Sequence, residues 1–408
     1  MTAAEPLFRA GRLPEAKAAY LEALEDRPGD PGLLKRLGDL CLYENRPEDA
    51  VRHLGEALER GSGLRRRWPL SAAIRAQLGM AHYRMDRFEA ASEQFAAAAG
   101  PLPLGPFRAV AGLARHLAAF GDVVPYRIEG PQVARLEFVV TDPLPMVELS
   151  VNGGPPVLFL VDTGGAELVL DRRLAAEAGA ELVSSLEGEY SGRRRARTGL
   201  GRVGSIQAGE LRIHDVPVHT LDLSELPRFL GVDVRGVLGT RLLMHFLATI
   251  DYPGGALVLR RGPAPALGDD ARTIPFWLAE SHLILARGRL NGLPPTCFWV
   301  DTGLEGGGFL ASETQLRSAG VAIDWSTAQE GPGGGGLVKE ARVVIDSLTL
   351  GEGDDAITHA AVPGMVQDKP LSIFGDRLGF EVGGLISHAF FRPYALTIDF
   401  ADMRLVVA

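Results

Sequence analysis

Two acidic residues occupy matching positions in two similar segments of this sequence. The segments NGGPPVLFLVDTG (152–164) and NGLPPTCFWVDTG (291–303) begin 139 residues apart and agree at nine of thirteen positions. Each ends in Asp-Thr-Gly after an apolar run, so Asp162 and Asp301 are both expected at the end of a buried strand. A carboxylate there is costly unless hydrogen bonds or a partner compensate it. Finding the same acid twice indicates that two halves of the chain pair their carboxylates.

Paired carboxyl groups can hydrolyse a peptide bond without a metal or a covalent intermediate. One ionised carboxylate takes a proton from water, while a second, protonated carboxyl supports the carbonyl oxygen. Two such groups about 3 Å apart cannot both ionise, so they share one proton and titrate as a coupled pair. Asp162 and Asp301 meet this requirement only if a pseudo-twofold axis brings them together. An internal duplication supplies that axis.

The residues beside each acid fit this chemistry. Gly164 and Gly303 allow tight turns that aim backbone N–H groups at the carboxylates. Thr163 and Thr302 can hydrogen-bond across an interface between the two halves. A bulky side chain at either glycine is therefore expected to displace the acid.

A second pair of matching segments supports the duplication. Residues 236–251 read GVLGTRLLMHFLATID, and residues 384–399 read GLISHAFFRPYALTID. After Gly121, short runs rich in β-branched residues alternate with Pro and Gly, which is typical of an all-β region. We therefore expect two β lobes with the same order of segments, at residues 123–265 and 266–408.

The first hundred residues follow a helical pattern. Three related segments read GRLPEAKAAYLEAL (11–24), NRPEDAVRHLGEAL (45–58) and DRFEAASEQFAAAA (86–99). Apolar and small residues recur at helical spacing, so each copy predicts a helix pair that buries its apolar face by stacking on the next pair. The segments resemble the tetratricopeptide repeat. This resemblance implies an all-α solenoid over residues 1–122 that binds partner proteins.

The first repeat begins inside its own first helix, and two explanations stay open. Either translation starts upstream, in which case the preceding segment can also carry a secretory signal, or the half-repeat is a natural truncated cap. As written, the sequence predicts a cytoplasmic protein. The upstream start would instead allow a periplasmic or secreted one.

Residues 133–408 resemble the pepsin-like and retropepsin-like aspartyl proteases, and most closely the short bacterial retropepsin-like type fused into one chain. The resemblance implies that Asp162 and Asp301 form a catalytic dyad that holds the attacking water. It also implies that Thr163 and Thr302 grip the interface between the lobes. The expected fold is thus multidomain, with an N-terminal all-α tetratricopeptide-type solenoid followed by an all-β, two-lobed, acid-protease-like barrel domain made by duplication of a retropepsin unit.

Two positions depart from the pattern of that family. Gly239 matches the glycine that supports the catalytic loop from behind, but Ser387 replaces it in the second lobe. If this glycine has a positive φ or lets another backbone approach closely, Ser387 would strain the second half-site. The residue after each triplet is Gly165 or Leu304 instead of Ala, Ser or Thr. Without a hydroxyl there, the acid pair is expected to be more basic.

Glycine-rich stretches are candidates for the mobile hairpins that close over the substrate in this family. Gly199, Gly201 and Gly204 predict the tip of one hairpin, and residues 331–336 predict the other, with plain flexible linkers as the alternative. The first three glycines also spell Gly-x-Gly-x-x-Gly, the dinucleotide fingerprint. No strand-to-helix context surrounds them, so we expect no cofactor.

Composition argues against several other classes of function. The net charge is −9 and the cations are scattered, whereas nucleic-acid binding needs a concentrated basic face. Cys41 and Cys297 do not suggest a disulfide framework, and the histidines show no metal-site spacing. No run approaches the roughly 18 apolar residues of a membrane helix. The expected partners are a protein or peptide substrate and a protein bound by the helical repeats.

One leading hypothesis and two alternatives follow. The leading hypothesis is a single-chain aspartic endopeptidase that uses Asp162 and Asp301. The first alternative, motivated by Ser387 and by the helical repeats, is an inactive peptide-binding or scaffolding protein that adds an extended segment to its sheet. The second is a two-carboxylate glycosidase, which needs acids several ångströms further apart and has no need of the duplication.

Overall fold

The computed structural model describes residues 3–61, 68–103, 105, 107–190, 194–268, 270–333, 336–368 and 378–408. A helical N-terminal region precedes a β-rich region, which confirms the predicted order of the two. Within the described residues, no helix is both long and apolar enough to cross a membrane.

Helices of the N-terminal region follow one another with short turns. They are α1 (Ala4–Arg9), α2 (Leu13–Asp26), α3 (Pro31–Tyr43), α4 (Pro47–Arg60), α5 (Trp68–Arg84), α6 (Phe88–Ala99) and α7 (Phe107–Ala118). Proline lies in the first turn of α2, α3 and α4, where its missing N–H would have had no helical partner. Each helix packs against the next along the chain.

Glycine allows close contact between helices at two matching places. A Cβ on Gly38 of α3 would lie 2.6 Å from Leu54 of α4, and a Cβ on Gly79 of α5 would lie 2.7 Å from Phe95 of α6. Both distances are too short for a real Cβ contact. The same pairing of a glycine with a large apolar residue therefore recurs in two successive helix pairs.

The first half of the β-rich region contains β1 (Arg127–Glu129), β2 (Val133–Glu137), β3 (Met146–Val151), β4 (Val157–Val161), β5 (Leu168–Asp171), α8 (Arg172–Glu177), β6 (Glu181–Tyr190), β7 (Arg194–Ala208), β8 (Leu211–Leu221), α9 (Leu226–Leu230), β9 (Val234–Leu238), α10 (Thr240–Leu243), β10 (Leu247–Asp251) and β11 (Ala256–Arg260).

The second half contains β12 (Arg272–Ala279), β13 (Leu283–Leu290), β14 (Thr296–Asp301), β15 (Phe309–Ala311), α11 (Glu313–Ser318), β16 (Gln329–Gly333), β17 (Gly336–Leu350), β18 (Ile357–Gln367), β19 (Val382–Ser387), α12 (His388–Phe391), β20 (Ala395–Asp399) and β21 (Arg404–Val407).

Each half contains a closed ring of six strands, which we call the first lobe and the second lobe. The first ring runs β8-β5-β9-β4-β3-β7, and β7 pairs with β8 to close it. The second runs β18-β15-β19-β14-β13-β17, and β17 pairs with β18. The two rings have the same cyclic order. In both, the strand that leads to an acid pairs in parallel with a later strand, β4 with β9 and β14 with β19.

A six-stranded sheet made from both halves joins the lobes. Its order is β12-β21-β20-β10-β11-β2. At its centre β10 pairs antiparallel with β20, and the hydroxyls of Thr249 and Thr397 hydrogen-bond across that pair at 2.7 Å. These two strands end the second pair of matching sequence segments. The segments therefore build the sheet that fixes one lobe against the other.

The helical region packs on both lobes through apolar side chains. Phe8 and Tyr20 share a buried cluster with Trp299 and Phe380 of the second half. Side chains of α6 and α7, including Phe95, belong to the large core that extends into the first lobe. The helices thus share apolar cores with the β-rich region, against which their apolar faces are buried.

One predicted hairpin tip is wrong in position. Gly199, Gly201 and Gly204 all lie inside β7, and residues 191–193 lie outside the described residues. A Cβ on Gly201 would lie 2.3 Å from the carbonyl oxygen of Glu181 in the neighbouring strand. The glycine there permits close strand contact instead of a turn. The other predicted tip, 331–336, spans β16 and the start of β17, with 334–335 outside the described residues.

Candidate active site

Both acids lie at the end of a buried strand and face one cleft. Asp162 directly follows β4, and its N–H donates to the carbonyl oxygen of Leu238 at 3.1 Å. Asp301 is the last residue of β14 and pairs with Ser387 of β19. Both side chains line the same cavity of about 480 Å³ between the lobes. The structure therefore brings together the two acids that the sequence singled out.

Thr163 and Thr302 form a reciprocal set of hydrogen bonds across the lobe interface. The hydroxyl of Thr163 donates to the carbonyl oxygen of Val300 at 2.8 Å and accepts the N–H of Thr302 at 3.0 Å. The hydroxyl of Thr302 donates to the carbonyl oxygen of Val161 at 3.0 Å and accepts the N–H of Thr163 at 3.0 Å. Both threonines are fully buried. These bonds fix the separation of the loops that carry the acids.

Gly164 and Gly303 each touch the acid of the opposite lobe. The N–H of Gly164 donates to the Asp162 carboxylate at 2.7 Å, and the N–H of Gly303 donates to the Asp301 carboxylate at 3.1 Å. A Cβ on Gly164 would lie 2.4 Å from Asp301 Oδ1, and a Cβ on Gly303 would lie 2.3 Å from Asp162 Oδ1. Only glycine leaves room for the two carboxyls to approach each other.

The two carboxyls share a hydrogen bond, and the pKa of each is raised. Burial is the main cause for both. The negative charge of Asp162 raises the pKa of Asp301 further, well above its ordinary value. Asp162 keeps more of its acidity, because the N–H groups of Gly164, Gly165 and the opposite Gly303 stabilise its ionised form. The two carboxyls therefore titrate as a coupled pair, and the backbone N–H groups around Asp162 favour its ionised form.

Gly239 and Ser387 have the same backbone conformation but different surroundings. Their φ values are −86° and −89°, which any residue adopts. A Cβ on Gly239 would lie 2.3 Å from the carbonyl oxygen of Glu167. In the second lobe there is room for the side chain of Ser387. Its hydroxyl donates to the carbonyl oxygen of Gly307 and accepts the N–H of Ala389. The strain considered for Ser387 does not arise.

A buried polar cluster beside the first acid was missed in the sequence analysis. Arg241 and Glu167 are each 1% exposed, and Arg241 Nε lies 3.8 Å from Glu167 Oε1. The guanidinium also donates to Asp86 at 2.7 Å, while the hydroxyls of Tyr83 and Tyr126 both donate to Glu167. One signal was present, since Arg241 is a charged residue inside the mainly apolar run 236–248. Its partners could not be read from the sequence because they come from distant segments.

The two lobes line the cleft with side chains of different polarity. On the first lobe its lining is mainly apolar, from Leu144, Leu160, Val169, Leu221, Leu223, Leu230 and Val237. On the second lobe it is more polar, from Glu280, His282, Trp299, Glu305, Glu340 and Gln367. Burial and the nearby Glu305 raise the pKa of Glu340 to about 7. Residues of the hairpin β6–β7, among them Tyr190, also line the cleft.

The match to known proteins covers one part of this site. Residues 147–242, which include Asp162 and Gly239, match the family model described as aspartyl protease. No curated protein matches the chain. The family match supports a protease of the aspartyl, retropepsin-like type.

Proposed function

We propose that this protein is an aspartic endopeptidase in which Asp162 and Asp301 jointly activate one water molecule. The observation that carries the proposal is the contact of each glycine with the acid of the opposite lobe, which leaves the two carboxyls close enough to share a hydrogen bond. We take residues 123–265 and 266–408 as the two protease lobes and residues 1–122 as the helical domain.

The backbone N–H groups that face Asp162 favour its ionised form, so we assign it the role of base and Asp301 the role of acid. Ionised Asp162 takes a proton from the bound water, whose oxygen attacks the carbonyl carbon, while Asp301 gives its proton to the carbonyl oxygen. When the tetrahedral intermediate collapses, Asp162 returns the proton to the leaving nitrogen as the C–N bond breaks. Asp301 then recovers a proton from the hydroxyl that becomes the new carboxyl group. The cycle ends with the original charge on the pair.

This mechanism predicts a pH range for activity. Activity needs one proton on the pair, so it falls at low pH as Asp162 becomes protonated and at high pH as Asp301 loses its proton. Because the pKa of Asp301 is well above its ordinary value, the loss at high pH is shifted upward. We expect cleavage under weakly acidic to neutral conditions.

The shape of the cleft favours an extended peptide as substrate. The hairpins β6–β7 and β16–β17 each contribute to its walls, and Tyr190 and Glu340 line it from the two hairpins. The apolar lining on the first lobe suits an apolar substrate side chain. The helical domain would act as the module that binds a partner or recruits the substrate protein.

The test is a cleavage assay on the full-length protein with a mixed peptide library, read by mass spectrometry. Wild type should cut internal bonds, and Asp162→Asn and Asp301→Asn should each abolish cutting. Asp399→Asn is the matched control, because Asp399 is a buried carboxylate that accepts two backbone N–H groups outside the cleft. Wild-type rates in the Asp162→Asn, Asp301→Asn double variant would refute the proposal.

Neither alternative function gains support. The inactive peptide-binding hypothesis rested on the helical repeats and on strain at Ser387, and Ser387 has an ordinary φ and a hydroxyl with two hydrogen bonds. A two-carboxylate glycosidase needs its acids separated by about 5 Å or more to hold a sugar between them. A pair of acids that share a hydrogen bond does not suit that reaction.

A further inference from the structure

The last two residues of α5 and the turn that follows them contact both lobes beside the cleft. We call residues 83–86 the junction turn. Tyr83 donates its hydroxyl to Glu167, and Asp86 accepts a hydrogen bond from Arg241 at 2.7 Å, both in the first lobe. Arg84 reaches the second half, where its guanidinium donates to two backbone carbonyls at the end of β12. One short segment of the helical domain thus contacts both sides of the site.

In the first lobe, the junction turn holds the residues that carry the loop of Asp162. The N–H of Arg241 donates to the carbonyl oxygen of Ala166 at 2.8 Å, and the N–H of Thr240 donates to that of Gly165 at 2.9 Å. The hydroxyl of Thr240 also donates to the carbonyl oxygen of Thr163 at 2.9 Å. A shift of Arg241 would therefore be passed directly to the backbone of residues 163–167.

On the second lobe, the junction turn reaches the wall of the cleft. Arg84 donates to the carbonyl oxygens of Leu278 at 2.8 Å and of Glu280, and Glu280 lines the cavity that contains both acids. Arg84 is 7% exposed and also donates to the carbonyl oxygen of Leu42 in α3. Three backbone carbonyls from two domains are thus held by one buried guanidinium.

The cluster needs the helical domain to complete its hydrogen bonds. Arg241 and Glu167 are almost fully buried, and three of the groups that face them, the Tyr83 hydroxyl, the Tyr83 carbonyl oxygen and the Asp86 carboxylate, come from the junction turn. The guanidinium of Arg241 also lies over the Tyr83 ring, 4.6 Å from its centre. A buried ion cluster is stable only when its members are all paired, so loss of one partner should disturb the remainder.

Two other turns at matching repeat positions also contact the β-rich region. Gly11, Asn45 and Asp86 each precede the repeated arginine, and all have a left-handed φ, of 67°, 51° and 56°. Asn45 donates to the carbonyl oxygen of Phe400 at 3.0 Å, and a Cβ on Gly11 would lie 3.1 Å from Cys297 Sγ. Among these three turn positions, Asp86 alone carries a charge. All three turns therefore contact the β-rich region, and the turn at Asp86 adds a charged contact to the loop that carries Asp162.

We propose that the junction turn is a positioning element of the active site, so that the helical domain sets the geometry of the Asp162 loop as well as serving any partner. This inference rests on the proposed protease function. Tyr83 acts through Glu167, and Asp86 acts through Arg241; neither residue touches the substrate. A partner that displaced the junction turn would accordingly change turnover without entering the cleft.

The kinetic test uses Tyr83→Phe in the full-length protein, with Tyr20→Phe as the matched control. Tyr20 is also buried and donates its hydroxyl to Glu5 inside the helical domain, at 2.7 Å. We expect Tyr83→Phe to lower kcat by about tenfold with KM within about twofold, because misplacement of a catalytic group by a fraction of an ångström is enough to slow the reaction. The control should stay within about twofold of wild type in both constants.

A double-mutant cycle separates positioning from general destabilisation. If Tyr83 acts through Glu167, then Tyr83→Phe and Glu167→Gln together should lower kcat by no more than the larger single effect. Multiplicative effects, or a kcat for Tyr83→Phe equal to that of Tyr20→Phe, would overturn the inference.

Backbone hydrogen exchange provides a readout that does not depend on turnover. In Tyr83→Phe, exchange of residues 162–167 should be faster than in wild type, while residues 301–306 of the second lobe should be unchanged. Equal change in both loops, or none in either, would contradict the positioning role. If wild type cleaves no peptide, the proposed function fails, and this exchange experiment still decides the inference.

Discussion

The two half-sites contain the same acid and the same triplet, but they are supported by different means. In the first lobe, Gly239 packs against the loop backbone, and the buried pair of Glu167 and Arg241 ties that loop to the helical domain. In the aligned segments, Gly306 and Ala389 of the second lobe correspond to Glu167 and Arg241, so the charged pair has no equivalent there. There the serine hydroxyl of Ser387 holds the loop.

The proposed chemistry requires some features in both lobes, whereas other features can differ between them. The glycine after each threonine touches the opposite acid in both lobes, so that contact is shared by necessity. The support behind the loop differs, because it has to satisfy only its local surroundings. The helical domain also contacts the two lobes differently, because Arg84 donates to backbone carbonyls of the second lobe whereas Asp86 pairs with the buried Arg241 of the first.

The largest effects should come from the shared part. Gly164→Ala and Gly303→Ala would each place a methyl group against the opposite carboxyl, and moving that carboxyl is the easiest relief. We expect each variant to lower kcat by at least about a hundredfold, to a similar extent in the two lobes. Steady-state kinetics on one peptide substrate measures this.

Gly254→Ala is the matched control for those two variants. A Cβ there would lie 2.1 Å from the Asp251 carboxylate, outside the cleft, so the same kind of overlap arises without touching the dyad. It should lower stability and leave kcat close to wild type. Comparable loss of kcat in all three variants would mean that the overlap acts through folding alone.

A reciprocal exchange of the support residues sharpens the difference between the lobes. Gly239→Ser should severely destabilise the first lobe, since its Cβ would overlap the carbonyl oxygen of Glu167. Ser387→Gly should cost about 1–2 kcal/mol, through the lost hydrogen bonds to the carbonyl oxygen of Gly307 and the N–H of Ala389. Urea unfolding and cleavage rates of the two variants check this. Equal effects would contradict the asymmetry.

A smaller effect is expected from Asp86 of the junction turn, which should make the free energy of unfolding depend on pH. Asp86 faces Arg241, Glu167 and His245, and burial raises its pKa from 3.8 to about 6. At a pH between these two pKa values, Asp86 is protonated in the folded state and ionised in the unfolded state. The free energy of unfolding therefore falls as pH rises from about 4 to 6. Two pKa units correspond to about 3 kcal/mol.

Comparison with Asp86→Asn isolates that contribution. The free energy of unfolding of wild type relative to this variant should decrease across the same interval and level off above about pH 7. Denaturant unfolding at several pH values measures the difference. Parallel curves for the two proteins would show that Asp86 does not titrate in this range.

Much of the site was predictable because it repeats within the chain. The matching segments located Asp162 and Asp301, and the apolar runs before them correctly indicated β4 and β14. A repeat also implied which residues would face each other, since the same residue must meet its counterpart across a twofold axis. The interlobe bonds of Thr163 and Thr302 have the form expected from that symmetry.

Other features could not be predicted because they occur once. The contact of Glu167 with Tyr83 joins residues 84 positions apart in different domains, and no pattern in either segment points to the other. The glycines of β7 were mistaken for a turn, since glycine also permits close strand contact, as at Gly201. The repeat thus predicted where the two acids lie, whereas the different supports behind their loops could not be predicted from the sequence.

The most direct test of the central claim is whether the two acids act as one unit. We predict that Asp162→Asn and Asp301→Asn each lower kcat by about 10³-fold or more, and that the double variant is no slower than the worse single variant, because residues that act as a unit are strongly non-additive. Multiplicative losses in the double variant, or a single variant that retains full turnover, would contradict a shared proton and a shared water.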